Sequence, residues 1–288
     1  MRLSVIMPVL DGADTIGVQL EALARQRWSK PWELIVVDNG STDDSMRIVE
    51  AYRDRLPRLV TLSATSKRGP AHARNAGATQ APAPYLAFCD ADDEADDDWV
   101  ATIAAAAEAH GFVASRMDAA RLSEPRALAA KGNRRQQTGL ITYTYVPFLP
   151  FAGTCGLAIR RELHDRVGGF DESMTFLEDC DYCWRVQLDG TPLVFAPDAL
   201  MHIRHRGDTR SLYRQGRNWG EFNVVLLKRY REHGMPVPSW TVGVRLWWKL
   251  VLRLPGLRSQ TGRDRFAWAL GYRIGQLRGS VRHRVFAL

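Results

Sequence analysis

The sequence predicts an α/β fold: a Rossmann-like, mostly parallel sheet flanked by helices, with a basic helical C-terminal extension. Three observations point there. Strand-length apolar runs alternate with helix-period segments through residues 1–90. Three of those strands lead into acids, at Asp11, Asp38 and Asp90. Charge is also split along the chain: residues 1–201 carry 21 Lys/Arg against 28 Asp/Glu, and residues 202–288 carry 18 against 4. With 288 residues, 45% of them hydrophobic, the chain can bury one large core or two modest ones.

Leu3-Ser-Val-Ile-Met-Pro-Val-Leu10 reads as a buried first strand. Ile16, Leu20 and Leu23 then share one helical face before Trp28. Glu33-Leu-Ile-Val-Val-Asp38 is the second strand. Ser41 is placed to cap the next helix, with Asp43 and Asp44 in a first turn whose dipole favours them. Leu59-Val-Thr-Leu-Ser63 is a third strand. Gly69-Pro70 opens a helix through Asn75 to Thr79, because the fixed φ of proline suits a first helical position. The fourth strand begins at Tyr85 and ends at Asp90. This order implies parallel pairing through right-handed crossovers, with a ligand beyond the carboxyl ends of the strands. Asp11, Asp38 and Asp90 are thereby expected at one crevice. Farther on, residues 100–111 form an Ala-rich helix stopped by Gly111. Residues 116–139, with Lys131, Arg134 and Arg135, are expected to be a long polar loop. A loop from Gly153 leads into a strand ending at Arg160, and a helix from Arg161 to Val167 stops at Gly168-Gly169.

What is missing also limits the function. No Gly-x-Gly-x-x-Gly and no Gly-x-x-x-x-Gly-Lys-Ser/Thr occurs, which argues against dinucleotide and P-loop sites. Cys180 and Cys183 form one Cys-x-x-Cys pair with no second pair to complete a zinc site, so both are read as helix-packing residues. The four cysteines form no secreted framework, and a reducing, cytoplasmic setting is expected. Met1-Arg2 leads straight into a strand rather than a secretory leader. No uncharged apolar run of about eighteen residues occurs, so no membrane span is expected.

The most telling stretch is Tyr85-Leu-Ala-Phe-Cys-Asp-Ala-Asp-Asp93. A buried strand that stops in clustered carboxylates places negative charge at a sheet tip, where it is costly unless a cation arrives. Asp90 and Asp92, spaced by the small Ala91, can both reach one hard divalent ion. Mg²⁺ or Mn²⁺ prefers such oxygens together with phosphate. Asp93 is a helper in this reading, and Glu94 to Asp98 are solvated bystanders.

Five segments in order resemble the inverting, nucleotide-sugar-dependent glycosyltransferases of family 2, which have the GT-A fold. They are Ser4-Val-Ile-Met-Pro-Val9, Val36-Val-Asp-Asn-Gly-Ser-Thr-Asp-Asp44, Gly69-Pro-Ala-His-Ala-Arg-Asn-Ala-Gly77, Asp90-Ala-Asp-Asp93, and Gly169-Phe-Asp-Glu172 with Glu178-Asp-Cys-Asp181 and Trp184-Arg185. The resemblance spans residues 3–206. It implies a nucleotide-sugar-binding half at residues 1–99, an acceptor-binding and catalytic half at 100–210, and a basic extension at 211–288. Asp38 would bind the nucleobase, with Pro8, Val9 and Asp11 lining the pocket, although the family often has Asn where Asp11 stands. Arg74 would contact base or phosphate, with Arg68 and Ala91 as further nucleotide contacts. Asp90 would handle the ribose, and Asp92 the metal. Asp179 matches the catalytic base. His202 matches a histidine that some members use as a metal or phosphate ligand, and His205 competes for that assignment. The implied donor is a nucleoside-diphosphate sugar, most commonly a UDP-sugar, and the acceptor a glycan or a polyprenyl-linked sugar.

Asp179 and Asp181 lie two apart, so on a helix they point in different directions and only one can face an acceptor. Asp181 is spaced to pair with Arg185 at i+4. Asp171 and Glu172 are read as caps of the following segment, and His72 and His110 as surface or packing residues. Arg204, Arg206, Arg210, Arg214 and Arg217 would receive a phosphorylated acceptor. In the tail, Arg245, Lys249 and Arg253 share one helical face beside Leu246, Trp247, Leu250, Val251 and Leu254. Two readings stand for it: a helix lying on an anionic membrane surface, with the protein peripheral on the inner face of the cell membrane, or a helix packed on the catalytic domain. Two other functions compete with transfer: a non-catalytic sugar-nucleotide-binding subunit, and polyanion or nucleic-acid binding through the tail. No nucleic-acid motif supports the last, and no nucleic-acid partner is expected.

Overall fold

Six of the seven residues of β1 (Leu3–Val9) are buried, the exception being Pro8. Such a strand needs cover on both faces. The computed structural model, which describes residues 2–133, 136–142, 148–205, 207–285 and 287, supplies that cover. The chain forms two compact units, Met1–Leu122 with Arg134–Ile141 and Pro150–Arg204, and Ser123–Asn133 with Thr142–Leu149 and His205–Leu288.

Among the described residues, the first unit carries one sheet of eight strands. In spatial order these are β3 (Leu59–Ser63), β2 (Trp32–Asp38), β1, β4 (Tyr85–Phe88), β7 (Leu157–Arg160), β6 (Phe112–Asp118), β8 (Val194–His202) and β5 (Glu94–Ala95). Strands β1 to β4 run parallel, β7 is antiparallel to both its neighbours, β6 and β8 pair in parallel, and β5 is antiparallel to β8. The sheet is therefore mixed but mostly parallel. Val9 lies opposite Asp38 and Ile6 opposite Phe88, so the chain leaves β1, β2 and β4 at one edge.

Successive side chains of β1 face opposite layers. Val5 and Met7 join a core with Leu20 of α1 (Ile16–Ala24) and with Trp99 and Ile103 of α4 (Trp99–His110). Ile6 faces α3 (Pro70–Gln80), where a Cβ on Gly77 would stand 2.6 Å from Ile6 Cγ2. Glycine at that position lets helix and strand approach closely. Phe170 and Tyr182 stack at 4.1 Å beneath Phe88, with Tyr182 on α7 (Glu178–Leu188). Helix α6 (Arg161–Arg166) ends before Gly168 and Gly169 as the sequence predicts. All four cysteines are thiols, and Cys180 and Cys183 are buried in α7.

Three local expectations are corrected. Helix α2 (Ser45–Glu50) starts later than Ser41, whose hydroxyl instead accepts from the Asp11 backbone N–H at 3.1 Å. Residues 116–139 are not one loop: β6 continues to Asp118, held by a bulged pairing with β8, and α5 (Pro125–Lys131) follows with proline at its start. The expectation for Arg134 and Arg135, and that for Arg206, lies outside the described residues. Glu94 is no solvated bystander, being buried between Arg25 at 2.7 Å and Arg121 at 3.0 Å. Asp97 likewise pairs with Arg25 and Arg27.

The second unit is helical. Helices α8 (Thr209–Tyr230) and α10 (Gln260–His283) pack backbone against backbone. A Cβ on Gly220 would collide with the Tyr272 carbonyl, and one on Gly275 with the Arg217 carbonyl. Arg126 of α5 clasps the buried Asp264 of α10 at 2.9 Å through both carboxylate oxygens. Helix α9 (Trp240–Val251) lies between them in sequence, capped by the Ser239 hydroxyl. Among the described residues, no helix is long and apolar enough to cross a membrane.

Candidate active site

Three parallel strands deliver acids to one sheet edge. Asp38 ends β2, and its Oδ1 accepts from the backbone N–H groups of Ser41 at 2.8 Å and Gly40 at 3.2 Å. Asp11, two residues past β1 with φ at +48°, accepts from the Thr42 N–H at 2.7 Å. Both acids thus organise the same loop after β2. Asn39 extends that order to the next motif: its carboxamide donates to Lys67 O at 2.8 Å and accepts from Gly69 N at 2.7 Å, fixing the start of α3. Pro8 and Val9 close β1, and Val9 O accepts from Asn39 N at 2.9 Å. Arg68 is exposed just before Gly69, and Lys67 pairs with Glu172 at 3.3 Å.

Arg74 joins the two acid motifs. Only 3% exposed, it donates to Asp90 Oδ1 at 2.7 Å and to Glu178 Oε1 at 3.2 Å. Burial pushes the Glu178 carboxyl up to about 7, reinforced by the neighbouring Asp179 charge and opposed by Arg74. Strand β4 ends at Phe88, two residues earlier than the sequence predicts, although Cys89 N still donates to Ile6 O at 3.2 Å. Asp90 and Ala91 therefore sit in the loop beyond the strand, both half-buried.

Asp93 goes deepest. Burial holds its carboxyl well above the usual carboxylate range, and the charges of Asp90 and Asp92 push the same way. Ligand atoms of Asp90, Asp93 and Cys155 lie within 4.8 Å of one another. His202, at the end of β8, is 7% exposed, and its Nδ1 is buried without a hydrogen-bond partner among the described residues. Its Nε2 stands 3.8 Å from Asp96 Oδ2. Among the described residues, His202 lies outside that group, and the carboxylates of Asp90 and Asp93 suit a hard divalent cation. The Cys155 thiol does not, because burial and then the Asp93 and Asp90 charges raise its pKa and keep it protonated. Asp92 belongs to the same loop, with its carbonyl accepting from Arg204 Nε at 3.2 Å. His205 belongs to the second unit, where its Nε2 donates to Gly132 O at 3.1 Å.

Asp179 occupies the first turn of α7, where the helix dipole favours a carboxylate. The residue before the helix, Leu177, holds a left-handed φ of +58°. Such strain in a branched side chain persists only where the surroundings enforce it. Asp181 points into the protein, fully buried, with Arg185 Nε at 2.8 Å. Glu172 does not cap the segment after it. It binds α3 instead, accepting from Asn75 Nδ2 at 3.1 Å and meeting His72 Nδ1 at 3.1 Å. Asp171 does cap locally, accepting from Ser173 N at 2.8 Å.

Gln19 escaped the sequence reading, and three residues named there, Arg204, Asn39 and Glu178, make supporting contacts it did not foresee. Gln19 is buried on α1, donating to Asp90 O at 3.2 Å and accepting from Ala95 N at 2.8 Å. Arg204 donates its backbone N–H to Asp93 Oδ1 at 3.1 Å. Asn39 and Glu178 complete the set. A glutamine on the apolar face of α1 is the one signal that was available for Gln19.

The family model for glycosyl transferase family 2 matches residues 4–168. TarS of Staphylococcus aureus, a poly(ribitol-phosphate) beta-N-acetylglucosaminyltransferase, is 35% identical over 111 residues, 38% of this chain and 19% of its own length. A pre-mycofactocin glycosyltransferase of Mycobacterium tuberculosis is 26% identical over 246 residues, 81% of this chain and 49% of its own. The chain thus spans about a fifth of one relative and half of the other. Two solved structures share the fold. S. aureus TarS with UDP-GlcNAc aligns with a TM-score of 0.57 at 20% identity, covering 100% of this chain and 93% of that one. The mannosyltransferase PcManGT from Pyrobaculum calidifontis, with GDP-Man and Mn²⁺, aligns with a TM-score of 0.63 at 19% identity, covering 96% and 87%.

Proposed function

The chain belongs to glycosyltransferase family 2, and on that premise we propose that it moves a sugar from a nucleoside-diphosphate sugar to a hydroxyl of a cell-surface glycan or lipid-linked acceptor, with inversion at the anomeric carbon. One observation carries the reading: buried Arg74 ties Asp90 to Glu178, the neighbour of Asp179, within one unit. Donor-side acids and a base candidate are thereby held at a fixed spacing, which in-line displacement requires.

Asp38 and Asp11 shape the loop that would receive the base, with Pro8 and Val9 beneath it, Asp90 and Ala91 toward the ribose, and Arg68 at the rim. Arg74, already engaged at both ends, positions Asp90 and Glu178 rather than reaching for the nucleotide. Asp92 with Asp90, Asp93 and His202 would hold Mg²⁺ or Mn²⁺. When bound, that ion supplies positive charge against the charge growing on the leaving diphosphate. Asp179 takes the proton from the acceptor hydroxyl, its ionised form favoured by the start of α7. Glu178 beside it holds a proton near neutrality and so limits repulsion between adjacent carboxylates. UDP-GlcNAc on TarS supports a UDP-sugar donor, and GDP-Man on PcManGT makes guanine the rival base. The names of the TarS-type relatives support an acceptor of the cell-surface polymer class. Such acceptors support a location in the cytoplasm, at the inner face of the membrane.

The test is nucleotide release from UDP- and GDP-sugars, with and without acceptor, before and after EDTA. Activity is expected to vanish with EDTA and to return with Mn²⁺ or Mg²⁺. Asp92→Asn is expected to lose about a hundredfold or more in turnover. Full EDTA-resistant activity, or an Asp92→Asn protein at wild-type rate, removes the metal assignment.

A further inference from the structure

Helix α9 carries three sectors where an ordinary packed helix carries two. At about 100° per residue, Trp240, Val251, Val244 and Trp248 fill one arc of about 80°, which Leu252, just past the helix end, extends to about 120°. All five are exposed, between 47% and 67%. The next arc holds the exposed Arg245 and Lys249, with half-buried Val242 beside them and exposed Arg253 just past the helix end. The third, with Gly243 and Leu250 buried and Leu246 and Trp247 half-buried, faces protein within the second unit. The packing requirement of the helix is therefore met by one sector, and the apolar arc is left over. Two tryptophans two turns apart on an exposed stripe are costly in water.

The surroundings select the occupant. No Asp or Glu occurs between Glu232 and Asp264, while Arg245, Lys249, Arg253, Arg258 and Arg263 fall in that stretch. The basic arc, without an acidic partner among the described residues, flanks the apolar one. A cationic border beside an indole-rich stripe matches the anionic headgroup and upper acyl region of a bilayer. We propose that α9 lies flat on an anionic membrane, with the Trp240–Val244–Trp248 stripe inserted at the headgroup boundary and Arg245 and Lys249 against lipid phosphates. Of the two readings that the sequence left open for this helix, the membrane one is proposed for the exposed face, while the buried face packs within the second unit. Membrane attachment here does not depend on the transfer chemistry.

The experiment is flotation of the full chain with vesicles of phosphatidylcholine containing about 30% phosphatidylglycerol, compared with pure phosphatidylcholine. Nucleotide release is measured in the same preparations. Wild type is expected to float with the anionic vesicles and to be released by high salt. The pair Trp240→Ser/Trp248→Ser is expected to weaken partitioning about tenfold or more, and Arg245→Glu/Lys249→Glu to abolish the preference for anionic lipid. Both variants change exposed residues, and unchanged melting midpoints and nucleotide release show that they fold. No flotation of wild type, or equal flotation of Trp240→Ser/Trp248→Ser, overturns the proposal. A wild-type dimer that this variant dissociates, without vesicle binding, assigns the stripe to a second copy and overturns it too. Vesicle binding by a protein that releases no nucleotide leaves the proposal standing and sinks only the transfer reading.

Discussion

Two aspartates on one helix separate chemistry from architecture. Asp179→Asn is expected to cut turnover by about a hundredfold or more while leaving donor affinity and melting midpoint nearly unchanged. Asp181→Asn instead removes one partner of a buried ion pair, and is expected to destabilise by about 2–3 kcal/mol. Equal, mild losses in both would refute the base assignment. Glu178 adds a pH signature. The folded protein keeps its proton to about pH 7, whereas the unfolded chain releases it near 4.5. Its contribution to stability is therefore full below about 4.5 and is lost as pH rises toward 7. Glu178→Gln is expected to flatten that part of the melting-versus-pH curve, and an unchanged slope would rule the group out as its source. At this scale the sequence was a good guide to which acids gather near one sheet edge and a poor one to depth. The i+4 spacing revealed the Asp181–Arg185 pair, but nothing local distinguishes buried Asp93 from exposed Asp98. Their difference arises from β8, whose residues pair with this loop from across the chain.

At the level of elements, the glycines of α8 and α10 oppose their own helical propensity. Alanine at Gly220 would gain about 1 kcal/mol in an isolated helix. Here its methyl would enter the Tyr272 carbonyl, and backbone cannot rotate aside as a side chain does. Separating the two helices would forfeit the whole contact, so the clash wins. Gly220→Ala is expected to lower stability by about 3 kcal/mol, read as a fall in melting midpoint. A stabilised variant would show that the helices are not in contact. The strands β1 to β4 and the helices between them were legible because apolar periodicity and turn residues agree there. Residues 116–131 misled for a physical reason: β6 carries Ser115, Arg116 and Asp118 in a strand held by backbone pairing with β8, remote in sequence. Helix α5 is likewise held by Asp264, more than a hundred positions away.

For the whole molecule, the charge split is the feature the sequence made plainest, and the sorting of the chain into two units the one it concealed. The second unit takes in segments around α5 that interrupt the first, and an interleaved division leaves no linker to detect. All the proposed donor groups lie in the first unit. A true donor with Mn²⁺, at about a hundredfold its dissociation constant, is expected to add about 2.7 kcal/mol, seen as a raised melting midpoint. Asp38→Asn is expected to remove that shift, and a shift of full size in the variant would sink the base-binding assignment. The strand order has one more consequence. Leu3 lies opposite Tyr85, and Phe88 opposite Leu157, partners roughly 70 to 80 positions apart in sequence. No nascent fragment shorter than the span from β1 to β8 brings Asp38, Asp90, Asp179 and His202 together. Competence to bind donor should therefore arise late in refolding, with the slowest phase, after helical signal has already returned.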